Sequence, residues 1–181
     1  MSLTQRTILF ANPGAELYGS DRVLLESVSG LVESGWTVAV TLPASGPLVR
    51  ELQDRGAKAS LRPTPVIRKK ILRPRGAVAF LSAAVRGFFA GMCLLSRLKP
   101  DVVYVNTMTI PLWIALARLR GIPVISHVHE GESSAPRFMR SALAVPLLFA
   151  TEIIANSKFS VGVLATSFSC LARRALVIHN G

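Results

Sequence analysis

The chain has 181 residues, of which half are hydrophobic and 17% are charged, and its formal net charge is +11. This length fits one domain. The low charged fraction predicts that part of the surface is apolar and faces a partner domain, a membrane or both. Two distant cysteines, Cys93 and Cys170, form neither a C-x-x-C pair nor a Cys/His cluster, which excludes a disulfide framework and a structural zinc site and indicates a reducing cytoplasm.

The excess positive charge is concentrated in one quarter of the chain. Eleven basic residues and no acidic residue lie between Arg55 and Lys99, whereas the rest of the chain has ten of each. A localised patch of one sign predicts a docking face for an anionic partner. The residues expected to form this anion- or membrane-binding patch are Arg68, Lys69, Lys70, Arg73 and Arg75.

Short apolar runs alternate with helical patterns along the first half of the chain. Thr7–Ala11 predicts a strand that ends at a turn beginning with Asn12. A helix is expected between an N-cap at Ser20 and Gly35, because apolar residues recur there at helical spacing. The elements expected next are a strand at Thr37–Leu42, a helix from Pro47 to Gly56, a strand at Lys58–Arg62 and, after a Pro- and Arg-rich connection, a long helix at Ala77–Leu98.

The second half continues this alternation. Pro146 is expected to interrupt the helical pattern at Arg137–Ala150, because proline has no amide donor. The other elements expected are strands at Asp101–Val105, Pro123–His127, Glu152–Ala155 and Ala175–Ile178, a helix at Thr109–Leu119 and a helix capped by Ser157. Apolar strands that alternate with helices predict one α/β domain over 1–181. We expect a Rossmann-like parallel sheet with helices on both faces, whose ligands bind beyond the carboxyl ends of its strands.

The loop after the first strand is one candidate ligand site. A glycine before a helix lets backbone N–H groups approach an anion, which the helix dipole also favours. Neither a G-x-G-x-x-G fingerprint nor a Walker Gly-Lys-Ser/Thr is present, so a plain strand–helix turn remains the alternative. The candidate binding residues here are Tyr18, Gly19 and Ser20.

His127 and His129 stand near the end of a predicted strand. In an extended segment both point to the same side, and His129 falls where the strand leaves the sheet. An imidazole at that place can hydrogen-bond to a phosphate or a sugar hydroxyl. Metal is not expected, since H-x-H-E lacks the spacing of the H-E-x-x-H zincins and no third strong ligand is obvious. A structural, hydrogen-bonded histidine is the alternative for both.

Polar residues near two strand ends complete the candidate set. Asn106 follows the strand at Asp101–Val105, where a turn or cap would also explain it. Ser157 follows the strand at Glu152–Ala155, and an N-cap role can coexist there with ligand binding. Glu130, next to His129, is assigned to the substrate-binding residues.

The long helix at Ala77–Leu98 is apolar and follows the basic patch. A bilayer span needs about 20 uninterrupted apolar residues, and Arg86 interrupts the run, so a transmembrane helix is not expected. The alternatives are a core helix of the α/β sandwich and a helix partly apolar toward lipid. The second would place a cytoplasmic protein peripherally on the inner face of the plasma membrane.

These motifs, in this order, resemble the family-4 (GT4) retaining glycosyltransferases of the GT-B fold. Tyr18-Gly19-Ser20-Asp21-Arg22 is similar to the family's glycine-rich turn and first helix start, with Tyr18 where the family often has a second glycine. Pro123–His129 resembles the family strand that ends in a functional histidine, which corresponds to His129. Further along the chain, Ala155-Asn156-Ser157 resembles a family segment in which a strand is followed by a serine. The last residues, Val177-Ile178-His179-Asn180-Gly181, resemble the family's strand and Asn-Gly that lead into its interdomain linker.

The resemblance implies the N-terminal, acceptor-binding half of a two-domain enzyme. The C-terminal half, which binds the nucleotide sugar and carries an E-x7-E-type motif, is absent from this sequence. The implied activity is metal-independent transfer of a hexose, with retention, to a glycan or lipid-linked acceptor of the cell envelope. His129 would contact the reacting sugar or the donor phosphate, and Gly19 and Ser20 would lie near the diphosphate. The isolated domain would be inactive, because catalysis would require closure of the two domains.

Two alternatives come from other functional classes. A sequence pI of about 11.0 is compatible with a nucleic-acid binder. Exposed aromatic residues are not expected to interleave with the basic residues of this stretch, however, and no nucleic-acid-binding motif is recognisable, so a nucleic-acid partner is not expected. The other alternative is a complete, non-enzymatic α/β module that binds a small phosphorylated ligand.

Overall fold

The structure, a computed structural model, describes residues 5–68, 73–129 and 137–179, with the backbone alone for Pro74, Arg137 and Phe138. Its strands are β1 (Thr7–Ala11), β2 (Thr37–Leu42), β3 (Lys58–Leu61), β4 (Val102–Val105), β5 (Val124–Val128), β6 (Glu152–Ala155) and β7 (Ala175–Val177). Its helices are α1 (Gly19–Glu33), α2 (Pro47–Asp54), α3 (Pro74–Leu98), α4 (Leu112–Leu119), α5 (Arg137–Ala144), α6 (Lys158–Ser167) and α7 (Ser169–Arg174), with a 3-10 turn at Val145–Phe149. All seven strands are parallel, in the order β3-β2-β1-β4-β5-β6-β7, which confirms the predicted Rossmann-like sheet.

The strand order reverses at β1, in the middle of the sheet. Ala11 at the end of β1 is opposite Thr41 of β2 on one side and Val105 of β4 on the other. The connections that leave β1 and β4 run to opposite faces of the sheet, which opens a crevice at the carboxyl edge between them. Residues that directly follow these strands are therefore placed to meet a ligand.

Alternate residues of the strands build two separate cores. On one face Phe10 packs with α1 and α2, and on the other face Leu9 packs with α3, α4, α6 and α7 around the buried Trp113. The layer formed by α1 and α2 covers only part of its face. Between α1 and the strands β4 to β6 there is a cavity of about 900 Å³, whose lining includes Tyr104 and His127.

Prolines set three of the helix boundaries. α3 begins at Pro74, three residues before the predicted start, because proline is well suited to the first turn, where no amide donor is needed. α4 begins at Leu112 rather than at Thr109, directly after Pro111. Pro146 interrupts the last long helical pattern as predicted, and the chain continues from α5 into the 3-10 turn.

Two glycines bring α3 close to its neighbours in the core. A Cβ atom on Gly87 would lie 2.6 Å from the carbonyl oxygen of Pro63, and one on Gly91 would overlap the side chain of Leu116. Leu95, one further turn along the helix, is buried. This side of α3 is therefore a core surface, and the opposite side is turned outward.

Candidate functional site

Asparagine and histidine side chains follow four neighbouring strands at the carboxyl edge. Asn12 directly follows β1, Asn106 follows β4, His129 follows β5 and Asn156 follows β6. Parallel strands bring their carboxyl ends to one edge of the sheet, so these residues gather although they are far apart in sequence. Hydrogen bonds connect them into one site.

The first part of the site is a chain of hydrogen bonds from the first turn of α1 to β5. Nδ2 of Asn12 donates to Oδ1 of Asp21 at 2.8 Å. Nδ2 of Asn106 donates to Oδ1 of Asn12 at 2.7 Å. Oδ1 of Asn106 lies 2.9 Å from Nε2 of His129. Asn12, Asp21 and Asn106 are all buried, so each bond in the chain replaces contacts with water that these groups have lost.

The direction of these bonds determines which nitrogen of His129 carries the proton. The carboxylate of Asp21 only accepts, so Asn12 must turn its amide nitrogen toward it and its carbonyl oxygen toward Asn106. Asn106 then donates to Asn12 and presents its own carbonyl oxygen to the imidazole. Nε2 of His129 therefore carries the hydrogen, and in the neutral ring Nδ1 has a lone pair that receives no hydrogen bond from the described residues.

His127 lies against His129 and remains neutral. The two ring centroids are 3.8 Å apart with the planes inclined at 36°, and Nδ1 of His127 lies 2.7 Å from the hydroxyl of Tyr104. Burial, with a smaller contribution from His129, lowers the pKa of His127 from 6.5 to about 4. Burial also lowers the pKa of His129, although the carboxylate of Asp21 acts in the opposite direction. At neutral pH both imidazoles are therefore uncharged.

A second group of bonds holds the backbone of His129. Nδ2 of Asn156 donates to the carbonyl oxygen of His129 at 3.2 Å. Oδ1 of Asn156 accepts from the hydroxyls of Ser157 at 3.2 Å and Ser160 at 2.7 Å. Ser157 also accepts from the amide of Ser160 at 3.1 Å, which confirms its predicted N-cap role at α6. The start of α6 thus fixes the segment that carries His129.

The start of α1 is the exposed border of the site. The helix begins at Gly19 with Tyr18 as N-cap, so the predicted cap at Ser20 is wrong. Asp21 explains the difference, because its Oδ2 accepts from the amide of Tyr18 at 3.1 Å and fixes the turn two residues earlier. Tyr18 is 71% exposed. A Cβ atom on Gly19 would meet nothing within 4 Å, so the space beside this backbone is open to a ligand.

The structure brings most of the predicted binding residues into one place. Asn106 contacts His129 directly, Ser157 reaches it through Asn156, and Tyr18 reaches it through Asp21. Glu130, Lys69 and Lys70 lie outside the described residues. The other members of the predicted anion patch, Arg68, Arg73 and Arg75, are exposed and belong to the connection before α3 and to its first turn.

Three members of the site are not among the residues predicted from the sequence: Asn12, Asn156 and Tyr104. Asn12 was interpreted as part of a turn, and Asn156 only as a neighbour of Ser157. The available signal was positional, because each of these asparagines is the first residue after an apolar strand. Within the parts of the chain that the structure describes, no three His, Cys, Asp or Glu side chains gather in a way that could hold a metal ion.

The model of the glycosyl transferase 4-like domain family matches residues 18–181. The chain belongs to this family. The match confirms the predicted resemblance, and it includes every residue of the site except Asn12, which precedes the matched segment. No curated protein matches the chain in sequence.

Solved structures show that this glycosyl transferase 4-like domain has the fold of one half of a GT-B enzyme. HepE from Anabaena, in complex with UDP and glucose, has a TM-score of 0.71 at 18% identity over 96% of this chain and 44% of its own. A glycosyltransferase from Rickettsia africae ESF-5 gives 0.70 at 17% identity over 99% and 44%. MurG from Acinetobacter baumannii gives 0.60 at 19% identity over 83% and 41%. The chain spans less than half the length of each of these proteins.

Proposed function

We propose that this domain is the N-terminal, acceptor-side half of a glycosyltransferase that transfers a hexose from a nucleotide sugar, with retention, to a glycan or lipid-linked acceptor. The observation that carries the proposal is the state of His129. Its ring is uncharged, Nε2 donates to Asn106, and Nδ1 receives no hydrogen bond from the described part of the chain. A neutral imidazole at the ligand edge of an α/β sheet can accept a hydrogen bond from a sugar hydroxyl at neutral pH.

The family and the similar structures support transfer from a nucleotide sugar. Family membership favours glycosyl transfer as the reaction class. HepE, of the same fold, was crystallised with UDP-glucose, and WaaB is described as a lipopolysaccharide outer core galactosyltransferase. UDP-glucose is therefore the first donor to test. We propose that a second, C-terminal domain binds the nucleotide and that the acceptor is a component of the cell envelope.

The residues of this half orient the reactants. The N-terminus of α1, at Gly19 and Ser20, presents the positive end of the helix dipole and can stabilise the donor diphosphate without a metal ion. Tyr18 is exposed beside it and is assigned to contact with the bound sugar. Ser157 and Glu130 are assigned to the acceptor. Domain closure would bring donor and acceptor together and exclude water from the reacting bond.

The test compares the 181-residue chain with the polypeptide encoded by its full reading frame. Both are assayed in EDTA for transfer of labelled glucose from UDP-glucose to lipid and polysaccharide extracts of the source cells. We expect transfer by the full polypeptide and none by the chain alone. His129→Ala should lower kcat about 100-fold while the circular dichroism spectrum stays unchanged.

Three results would contradict parts of the proposal. Failure of the full polypeptide to use UDP-, GDP-, ADP- or dTDP-hexoses would contradict the transferase assignment. Loss of activity in EDTA that added Mg²⁺ or Mn²⁺ restores would contradict metal independence. Turnover by the 181-residue chain alone would contradict the requirement for a second domain.

A further inference from the structure

An apolar stripe runs along the outer side of α3. Val78, Leu81, Val85 and Phe89 follow one another at intervals of three and four residues, and they are 70, 65, 52 and 68% exposed. This spacing aligns them in one row on the helix, on the side opposite Gly87, and the row is about 17 Å long at 1.5 Å per residue. An apolar row of this length is unusual on a surface that meets only water.

A row of arginines borders the stripe. Arg75, Arg86 and Arg97 recur every 11 residues and are all exposed. Eleven residues are close to three helical turns, so the three side chains lie along one line, about 100° around the helix from the line of Val85. No acidic residue occurs between Arg55 and Lys99, so nothing on α3 offsets their charge.

The apolar surface continues from α3 onto α4. A shallow depression of about 320 Å³ is lined by Ala84, Val85, Phe88, Phe89 and Leu112. Leu112 also lines a groove of about 710 Å³ between α4 and the 3-10 turn, where Leu119 and Phe149 are exposed. Arg118 lines the same groove. The stripe is therefore one part of a wider apolar face with cations along it.

α3 is suited to lie on a bilayer rather than to cross it. By length and composition the helix at Arg75–Leu98 could cross a membrane, because an 18-residue stretch of it has a mean hydropathy of 1.9 and only 17% of that stretch is buried. Its inner side nevertheless packs against the domain at Gly87, Gly91 and Leu95. A helix with one side packed in a protein core and the other side apolar and exposed is suited to lie in the plane of the membrane–water interface.

We propose that α3 docks this domain on an anionic lipid bilayer, with the helix in the plane of the interface. Val78, Leu81, Val85 and Phe89 enter the acyl region, and the arginine row contacts the headgroup phosphates. Apolar insertion and cationic attraction together give stable attachment where either alone is marginal. The uncompensated positive charge favours binding to an anionic bilayer over dimerisation through this face, because two cationic faces would repel each other. This proposal is about attachment of the domain to a membrane, and it does not depend on the proposed transferase activity.

The first experiment measures sedimentation of the 181-residue chain with vesicles of phosphatidylcholine alone and of phosphatidylcholine mixed with phosphatidylglycerol. We expect binding to the mixed vesicles only. Leu81→Ser with Phe89→Ser, and separately Arg75→Glu with Arg86→Glu, should each weaken that binding about tenfold or more. Arg50→Glu with Arg173→Glu is the matched control, because it changes the net charge equally at exposed residues of α2 and α7 and should have a much smaller effect.

A second readout reports insertion directly. Leu81→Trp should add fluorescence that lipids with brominated acyl chains quench, whereas Leu176→Trp, at an exposed residue of β7, should not. All variants are checked for native circular dichroism. The proposal is overturned if the chain does not bind anionic vesicles, if the Leu81→Ser, Phe89→Ser double variant binds them like the wild type, or if the fluorescence of Leu81→Trp is not quenched. A dimer in solution that Phe89→Ser dissociates, or tighter binding to RNA than to vesicles, would overturn it as well.

Discussion

Oδ1 of Asn106 lies 2.9 Å from Nε2 of His129, while the amide nitrogen of Asn106 donates to Asn12. One side chain at the end of β4 therefore connects the histidine after β5 to the strand end at β1. Through Asp21 the same chain of bonds reaches the first turn of α1, which is the proposed diphosphate site. The orientation of the imidazole and the position of the helix start are thus coupled through buried amides.

Asn106→Asp should raise the pKa of His129. The substitution places a carboxylate where a carbonyl oxygen now accepts from Nε2, and a neighbouring negative charge favours the imidazolium, by about one pKa unit or more. Proton NMR titration of the ring measures the change. Asn106→Ala is the control, because it removes the contact without adding charge. An unchanged pKa in Asn106→Asp would show that residue 106 does not set the state of the ring.

Asp21→Asn should destabilise the domain by about 1–3 kcal/mol, because the carboxylate accepts from both Asn12 and the amide of Tyr18, and an amide cannot accept equally well on both sides. Glu26→Gln removes the same charge from an exposed position of α1 and should cost less than about 0.5 kcal/mol. Urea unfolding at neutral pH compares the two variants. Equal effects would mean that the loss of stability comes from the change in helix charge rather than from the buried hydrogen bonds of Asp21.

Much of the fold follows from local sequence patterns, but the contacts within the site do not. Thr7–Ala11 and Thr37–Leu42 were predicted at their observed bounds, because apolar strands between turn residues leave few alternatives. The gathering of Asn106 and His129 at one edge also follows from the parallel sheet. The individual hydrogen bonds of the site depend on tertiary structure. Asn12 and Asn106, for example, are 94 residues apart, and no spacing rule predicts that they bond to each other.

The cap of α1 shows a second reason why sequence reasoning was incomplete. Serine is a strong N-cap residue, and Ser20 was predicted to cap the helix on that basis. Asp21 instead binds Asn12 and the amide of Tyr18, and this pair of contacts places the first turn two residues earlier. A long-range hydrogen bond thus overrides a local preference, which a pattern along the chain cannot show.

Stability should fall as the pH decreases from about 6.5 toward 4. The pKa of His127 is about 4 in the folded protein, against an ordinary value of 6.5. The unfolded chain therefore binds a proton first, and the free energy of unfolding decreases by about 3 kcal/mol across this window. Urea unfolding at several pH values measures the slope. His127→Phe should flatten it, whatever its effect at neutral pH, and an unchanged slope would show that another group is responsible.

Gly87→Ala should destabilise the domain, whereas Gly30→Ala should stabilise it. A methyl group at 87 would lie 2.6 Å from the carbonyl oxygen of Pro63, so α3 would have to move away from the core, at a cost of about 1–3 kcal/mol. A methyl group at 30 meets nothing within 4 Å, and replacing glycine inside a helix gains about 0.5–1 kcal/mol. Thermal unfolding of both variants checks the pair. A stable Gly87→Ala variant would contradict the close approach of α3.

The measurement that tests the central claim most directly is the nitrogen-15 NMR spectrum of the His129 ring at neutral pH, assigned by comparison with His129→Gln. The structure predicts a neutral ring with the proton on Nε2 and an unprotonated Nδ1, which can accept from a sugar hydroxyl. An imidazolium ring, or a neutral ring with the proton on Nδ1, would contradict the chain of hydrogen bonds from Asp21 to His129 and the role proposed for that histidine.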